Sequence, residues 1–220
     1  ALARLALQEQ NKNMLSEASI RRLKAATAAD LHGPAAHGDI RIAPEVRLAR
    51  GRIHEIMGEG GEVFALAAAS RCDGPLIWIG QARDVASLAP TALQQFIDPA
   101  RLILTIGLNR AELLWATEQA LRARSAPCVI LELREGPGLK ESRRLQIAAE
   151  ESGALGLVLV HGKARTSAAE TRWRCEAAAR NEWVWACTKA KRGAPGAWRA
   201  SWMGKDHAPD LVALAAAASA

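Results

Sequence analysis

Residues 51–70 read GRIHEIMGEGGEVFALAAAS, and this stretch decides the fold. It passes from a short apolar run through the glycine-rich turn Gly58-Glu59-Gly60-Gly61 into an alanine-rich segment without Gly or Pro. These three patterns favour a buried strand, a tight turn and a helix. The turn has the layout of a phosphate-binding loop, G-x-x-x-x-G-K-[ST], whose Lys reaches the terminal phosphates and whose hydroxyl binds magnesium.

Three positions of this loop carry residues that oppose phosphate binding. With Gly58 as the first glycine of the pattern, Val63 stands in the place of the second. Phe64 replaces the lysine and Ala65 replaces the hydroxyl residue, so the loop supplies neither a positive charge nor a magnesium ligand. We therefore expect a degenerate loop, no nucleotide cofactor, no metal site and no ATPase activity.

Outward from this stretch, short apolar runs alternate with helical segments as far as residue 160. The predicted strands are residues 52–57, 76–79, 102–106, 128–133 and 157–160. The predicted helices are residues 62–70, 90–96, 110–124 and 140–152. Nearly uninterrupted apolar runs are typical of strands that helices cover on both faces. The sequence thus predicts an α/β fold with a mainly parallel twisted sheet flanked by helices.

After residue 161 the pattern changes to strict alternation, which predicts a C-terminal antiparallel β-meander at one sheet edge. Asn181 and residues 192–195 supply the turns. Five of the seven tryptophans fall in this region, and their spacing favours core packing over a base-stacking platform. The alternating residues are Trp173, Cys175, Ala177, Trp183, Trp185, Cys187, Trp198, Ala200 and Trp202.

The chain divides into four parts by composition. Residues 1–31 lack Gly and Pro and read as an N-terminal helical arm, while residues 32–49 contain several Gly and Pro steps and read as a linker or loop. Residues 50–207 form the core domain, and residues 208–220 form an alanine-rich, frayed tail. No apolar run reaches the ~20 residues of a membrane helix, and no secretory signal is visible, so we expect a cytoplasmic protein.

The cysteines and the charge bear on compartment and partners. None of the four cysteines has CxxC spacing, which favours reduced, buried thiols. Residues 161–207 hold ten basic and four acidic residues, which accounts for the whole net charge of +6. Such a basic third indicates either an anionic partner, such as nucleic acid or an acidic protein surface, or simply a solvated basic face.

Two stretches resemble the core of the RecA recombinase. GRIHEIMG is similar to the strand and first glycine that enter the RecA phosphate loop, and ACTKAKRGAPGAW to the late segment that reaches a neighbouring protomer. The resemblance implies that Lys189, Lys191 and Arg192 lie at a protomer or partner interface. It also places Ala82 where RecA has its catalytic glutamate and Glu132 where RecA has a magnesium-associated aspartate.

Within RecA-like proteins the chain is most similar to the ImuA family, accessory proteins of damage-inducible mutagenesis cassettes that are sometimes labelled SulA-like. SRRLQIAAEESG and SAAETRWR carry this resemblance, supported by LIWIG, DPARLIL and RGAPGAW, over about residues 40–207. It implies a non-catalytic scaffold for error-prone translesion synthesis in the SOS response. The implied partners are an ImuB-like Y-family polymerase homologue, an error-prone replicative-type polymerase and RecA, with nucleoid association, a possible homo-oligomer and no membrane contact.

Direct DNA binding stays open, with an acidic protein segment as the alternative ligand. The resemblance places RecA's DNA-binding connections at residues 134–140 and 161–167, which are short here. In helix 140–152, Arg144 and Ala148 are expected to face outward. The candidate cations for DNA or an acidic partner are Arg143, Arg144, Lys163, Arg165, Arg172 and Arg174.

Two other functions remain open at this point. A divergent ATPase would bind nucleotide at an oligomer interface through Lys189, Lys191 and Glu132, and nucleotide would then stabilise the fold. A SulA-like division inhibitor would instead block polymerisation of a cytoskeletal GTPase. The degenerate loop favours the scaffold over the ATPase.

Overall fold

The apolar run before the glycine-rich turn forms a strand inside a nine-stranded sheet, and the other elements are arranged around it. The structure is a computed structural model that describes residues 38–202 and 209–214. The predicted arm at residues 1–31 and the first part of the predicted linker lie outside these residues. None of the helices within 38–202 and 209–214 has the length and apolar character needed to cross a membrane.

Short strands and five helices make up the described core. The strands are β1 (Asp39–Arg41), β2 (Arg47–Ala49), β3 (Ile53–Met57), β4 (Leu76–Gly80), β5 (Leu102–Ile106), β6 (Cys128–Leu133), β7 (Leu155–Val160), β8 (Thr171–Ala179), β9 (Glu182–Ala190), β10 (Gly196–Ser201) and β11 (Asp210–Ala213). The helices are α1 (Gly61–Ala69), α2 (Ala82–Ala86), α3 (Pro90–Leu93), α4 (Arg110–Arg122) and α5 (Leu139–Ser152), with a 3-10 turn at Pro99–Arg101.

The large sheet has the order β11-β10-β9-β8-β3-β7-β6-β4-β5. From β8 to β5 every neighbouring pair is parallel, whereas β8, β9, β10 and β11 pair antiparallel in sequence. The predicted α/β class, the mainly parallel sheet and the antiparallel meander at one edge are therefore confirmed. Every residue of β4, β6 and β7 is buried, which explains why their sequences are nearly all apolar.

Two hydrophobic layers cover the two faces of the sheet. On one face α1 packs with Trp78, Trp173 and Trp185, so the tryptophans of the meander belong to the core, as predicted. On the other face α4 and α5 pack over residues such as Val129 and Val158. The four cysteines are free and buried, in agreement with the prediction. The carboxyl ends of β3, β4, β6 and β7 meet at one edge, beside the glycine-rich turn.

The prediction of a linker or loop at residues 32–49 is wrong for its second half, because β1 and β2 form a hairpin there. Ile40, Ile42, Val46 and Leu48 are buried against the α1 side of the core. Each strand has only three residues, too few to show alternation between the Gly and Pro residues that surround them. Burial of the apolar side chains, rather than local pattern, stabilises this hairpin.

Three other expectations also need correction. The tail predicted to fray begins with β11, which extends the meander by pairing with β10 while Leu211 packs on the core. The helix predicted at residues 90–96 is only the four-residue α3. The short helix α2 was not predicted, because five residues show no helical periodicity.

Gly58 is expected to be essential for folding, and Gly193 provides a matched control. Both have positive φ, at +91° and +83°, but a Cβ at Gly58 would overlap the carbonyl oxygen of Cys175, whereas nothing lies within 4 Å of one at Gly193. We expect Gly193→Ala to lower the free energy of unfolding by about 1–2 kcal/mol and Gly58→Ala by at least ~2 kcal/mol more, because of overpacking. Urea unfolding of both variants measures the difference, and equal losses would contradict it.

Candidate functional site

The turn between β3 and α1, where phosphates would bind in a working loop, is closed by the chain itself. The amide of Gly60 donates to the carbonyl oxygen of Cys175 in β8 at 2.9 Å, and the amide of Gly61 donates to Gly58 at 3.0 Å. A Cβ on Gly60 would lie 2.8 Å from Cδ1 of Trp183. These amides therefore have partners within the protein, and the meander stands directly against the turn.

Phe64, at the position of the phosphate-binding lysine, is completely buried. Its ring centroid lies 4.9 Å from that of Trp173 and 5.0 Å from that of Trp185, the latter in an edge-to-face arrangement. Ala65 is also fully buried, and Val63 packs at the margin of the same cluster. A side chain at position 64 thus points into an aromatic core rather than toward the turn, and this position offers no cation to a phosphate.

Glu132 lies at the end of β6 in a small polar network that sequence reasoning found only in part. Its side chain is 1% exposed and accepts a hydrogen bond from Trp78 Nε1 at 2.5 Å. Nε2 of His161, at the end of β7, lies 3.1 Å from the other carboxylate oxygen. The sequence identified Glu132 but neither partner; the adjacent ends of two buried strands were the available signal for His161.

A cavity of about 290 Å³ opens beside this network at the carboxyl edge of the sheet. The hydrogen bond to Glu132 raises the pKa of His161, while burial and then the nearby Glu132 raise the pKa of Glu62. Ala82 begins α2 and contributes no acid here. Among the residues that the structure describes, no group of three or more His, Cys, Asp or Glu side chains is placed to hold a metal ion. The cavity is lined by Glu62, Arg83, Asp84, Ser87, Glu132, Arg134 and His161.

A second cavity, of about 370 Å³, lies at the other end of β3 between the hairpin and the meander. His54 lines it with both ring nitrogens in use, 2.7 Å from the Thr171 hydroxyl and 3.0 Å from the carbonyl oxygen of Ala49. Burial lowers the pKa of His54 to about 4, so the ring is neutral near pH 7. This histidine serves the packing of β3 against β8, and the sequence analysis did not single it out.

Three of the six predicted DNA-binding or partner-binding cations are committed to ion pairs within the chain. Arg172 donates to buried Glu55 through Nε at 2.7 Å and Nη2 at 2.6 Å. Arg144 pairs with Glu118 on α4. Arg174 pairs with Glu176 at 2.8 Å on the surface. Ala148, expected to face outward with Arg144, is fully buried, because its side of α5 packs against the sheet.

The other three candidates, Arg143, Lys163 and Arg165, are exposed. The two short connections after β6 and β7 pack on each other, with the Gly136 amide donating to the Lys163 carbonyl oxygen at 3.0 Å. Lys163 and Arg165 thus lie beside the start of α5, where Arg143 is found. Arg174, by contrast, lies on β8 in the meander.

The predicted interface cations Lys189, Lys191 and Arg192 all reach back to the segment that precedes β8. Lys189 Nζ donates to the carbonyl oxygen of Ser167 at 2.9 Å, and Lys191 Nζ to that of Ala168 at 2.5 Å. Arg192 pairs with Glu170 at 2.9 Å. These side chains hold residues 167–170 in place, and their role at a protomer interface stays a prediction.

The comparisons with known proteins show a distant similarity. No protein-family model matches the sequence. The chain is 29% identical over 190 residues to Protein ImuA of Caulobacter vibrioides (strain NA1000 / CB15N), a match that covers 71% of this chain and 77% of the relative. Protein ImuA of Caulobacter vibrioides (strain ATCC 19089 / CIP 103742 / CB 15) matches with the same identity and coverage.

Arg172 and Arg174, two positions apart on β8, are expected to differ sharply in their effect on stability. Arg172→Ala leaves Glu55, whose side chain is 2% exposed, without its cation, so the free energy of unfolding should fall by about 3–5 kcal/mol. Arg174→Ala removes only a surface pair and should cost less than about 1 kcal/mol. Urea unfolding measures both, and a small effect of Arg172→Ala would contradict the structural role assigned to it.

The pairing of His161 with Glu132 predicts a loss of stability as pH rises. Because the folded-state pKa of His161 is raised above 6.5, its contribution is complete below pH 6.5 and disappears as pH rises through the folded-state pKa. His161→Gln keeps an amide donor but removes this titration. The test compares the free energies of unfolding of the wild-type protein and His161→Gln above pH 6.5. His54 does not interfere in this range, because its lowered pKa affects stability only below pH 6.5. Identical pH dependence of the free energy of unfolding in the wild-type protein and in His161→Gln would contradict this prediction.

Proposed function

We propose that this chain is a non-catalytic accessory protein of an error-prone translesion DNA synthesis complex, with a RecA-like core used as a scaffold. Two independent observations support the proposal. The sequence is similar to Protein ImuA over most of both chains. The turn that would bind a triphosphate is occupied by the protein's own contacts, with Phe64 buried beneath Trp173 and Trp185.

The buried phenylalanine is the observation that carries the non-catalytic part of the proposal. Phosphoryl transfer depends on cations and donors that neutralise the charge of the phosphates. Here the position of the lysine contributes to the core, and the Gly60 amide already donates to Cys175. Glu59 and Glu62 line a cavity at this turn together with His161, and the two carboxylates would repel a triphosphate. Lys189 and Lys191 are bound to carbonyl oxygens of the segment before β8.

The partners in this proposal are an ImuB-like Y-family polymerase homologue, an error-prone replicative-type polymerase and RecA. The proposed setting is the SOS response to DNA damage, with the complex associated with the nucleoid. DNA is a further proposed ligand, for the exposed Lys163 and Arg165.

Nucleotide binding provides the direct test of the non-catalytic role. A ligand at about 100 times its Kd stabilises a folded protein by about 2.7 kcal/mol. We expect no change in the melting temperature with magnesium and ATP or ADP, and no phosphate release. Glu132→Gln controls for a contaminating ATPase. Stabilisation by ATP together with hydrolysis that the Glu132→Gln variant loses would overturn the non-catalytic role.

The scaffold role requires a separate experiment. The tagged chain is expressed in cells treated with a DNA-damaging agent and recovered under mild conditions, with untreated cells as the control. We expect a Y-family-like subunit to be recovered with it. Recovery of a cytoskeletal GTPase without that subunit, together with inhibition of its polymerisation, would favour the division inhibitor instead.

A further inference from the structure

The outer face of α5 presents two large apolar side chains on either side of an arginine. Leu139 is 54% exposed and Ile147 is 43% exposed, although most apolar residues of this helix are buried. Arg143 lies four residues from each of them, so the three side chains form one stripe along the helix. Lys140 is exposed beside the stripe. We call these four residues the α5 face.

The two cations of the α5 face are available to a ligand. Neither the Lys140 nor the Arg143 side chain makes a hydrogen bond or ion pair within residues 38–202 and 209–214. Their neighbour Arg144 differs, because it pairs with Glu118 on α4. Farther along the helix the charges are also paired, as Glu151 is with Arg122 at 3.2 Å. Unpaired positive charge is therefore concentrated in the first two turns.

The support beneath the α5 face is rigid. Arg110 at the start of α4 pairs with Glu141 at 2.6 Å and also donates to the carbonyl oxygen of Gly136 at 3.1 Å. The Arg144–Glu118 pair joins the same two helices one turn farther on. On α4, one turn before Glu118, Trp115 is 47% exposed. A fixed pair of helices thus carries both the α5 face and an additional aromatic side chain.

We propose that the α5 face docks an acidic segment of a partner protein that also carries apolar side chains. Leu139 and Ile147 are about 12 Å apart along the helix axis, which suits two apolar anchors with a carboxylate between them to meet Arg143. Charge complementarity selects an acidic partner and steers its approach. Exposed aliphatic side chains of this size make no favourable contact with a phosphate backbone. A protein segment therefore fits the α5 face better than nucleic acid does.

This inference rests on the proposed function for the identity of the probe, which is the purified ImuB-like subunit. Its affinity is measured for the wild-type chain and for Arg143→Glu and Ile147→Asp, both at exposed positions. Arg180→Glu and Val212→Asp are matched controls, since Arg180 is exposed on the turn before β9 and Val212 is 64% exposed on β11. A labelled single-stranded oligonucleotide and its duplex are titrated in parallel.

We expect Arg143→Glu and Ile147→Asp each to weaken binding of the subunit at least about tenfold, with both controls within about twofold of wild type. Added salt should weaken wild-type binding, and Arg143→Glu should reduce this salt dependence more than Ile147→Asp does. Oligonucleotide affinity should not change in either α5 variant.

Four results would overturn the assignment. Wild-type affinity in both α5 variants removes the docking surface and leaves the proposed function intact. An equal loss of affinity for the subunit in Arg180→Glu and Val212→Asp also removes the docking surface. Loss of oligonucleotide affinity with retained subunit binding assigns the face to nucleic acid. No binding of the subunit to the wild-type chain removes both the docking surface and the proposed function.

Discussion

The carbonyl oxygen of Cys175 is the point on which the arrangement of β3, α1 and β8 depends. It accepts the amide of Gly60 and leaves no room for a side chain at Gly58. This contact brings the meander over the start of α1 and lets Phe64 reach Trp173 and Trp185. The same contact that completes the core therefore engages the Gly60 amide, which a phosphate-binding loop would leave free for its ligand.

Two arginines in the C-terminal third of the chain are paired with buried carboxylates. Glu55, in the middle of the sheet, is held by Arg172, and Glu170 before β8 is held by Arg192. An unpaired buried carboxylate is costly, so these arginines are required by the fold before any ligand is considered. The number of basic residues in the sequence thus overstates the number of cations that are available to a partner.

The sequence predicted the layers of the fold but not the contacts between distant parts of the chain. Uninterrupted apolar runs located β4, β6 and β7, and alternation located the meander, because both patterns follow from burial on two faces or on one. The sequence did not predict the hairpin of β1 and β2 or the strand β11, because these elements are short and their stability comes from packing. Glu132 was identified at the sheet edge, whereas its partners Trp78 and His161 lie on other strands. Spacing along the chain carries no information on such pairs.

Lys189, near the end of β9, and Lys191, just after it, hold the segment that precedes β8. Lys189 and Lys191 hold the carbonyl oxygens of Ser167 and Ala168, just before β8 begins. Each ammonium group has two further donors, so an anion could bind there while these hydrogen bonds remain. The ordered connection holds the two lysines where an anion would meet them, and a bound anion would in turn favour the ordered connection, so the two events are thermodynamically coupled.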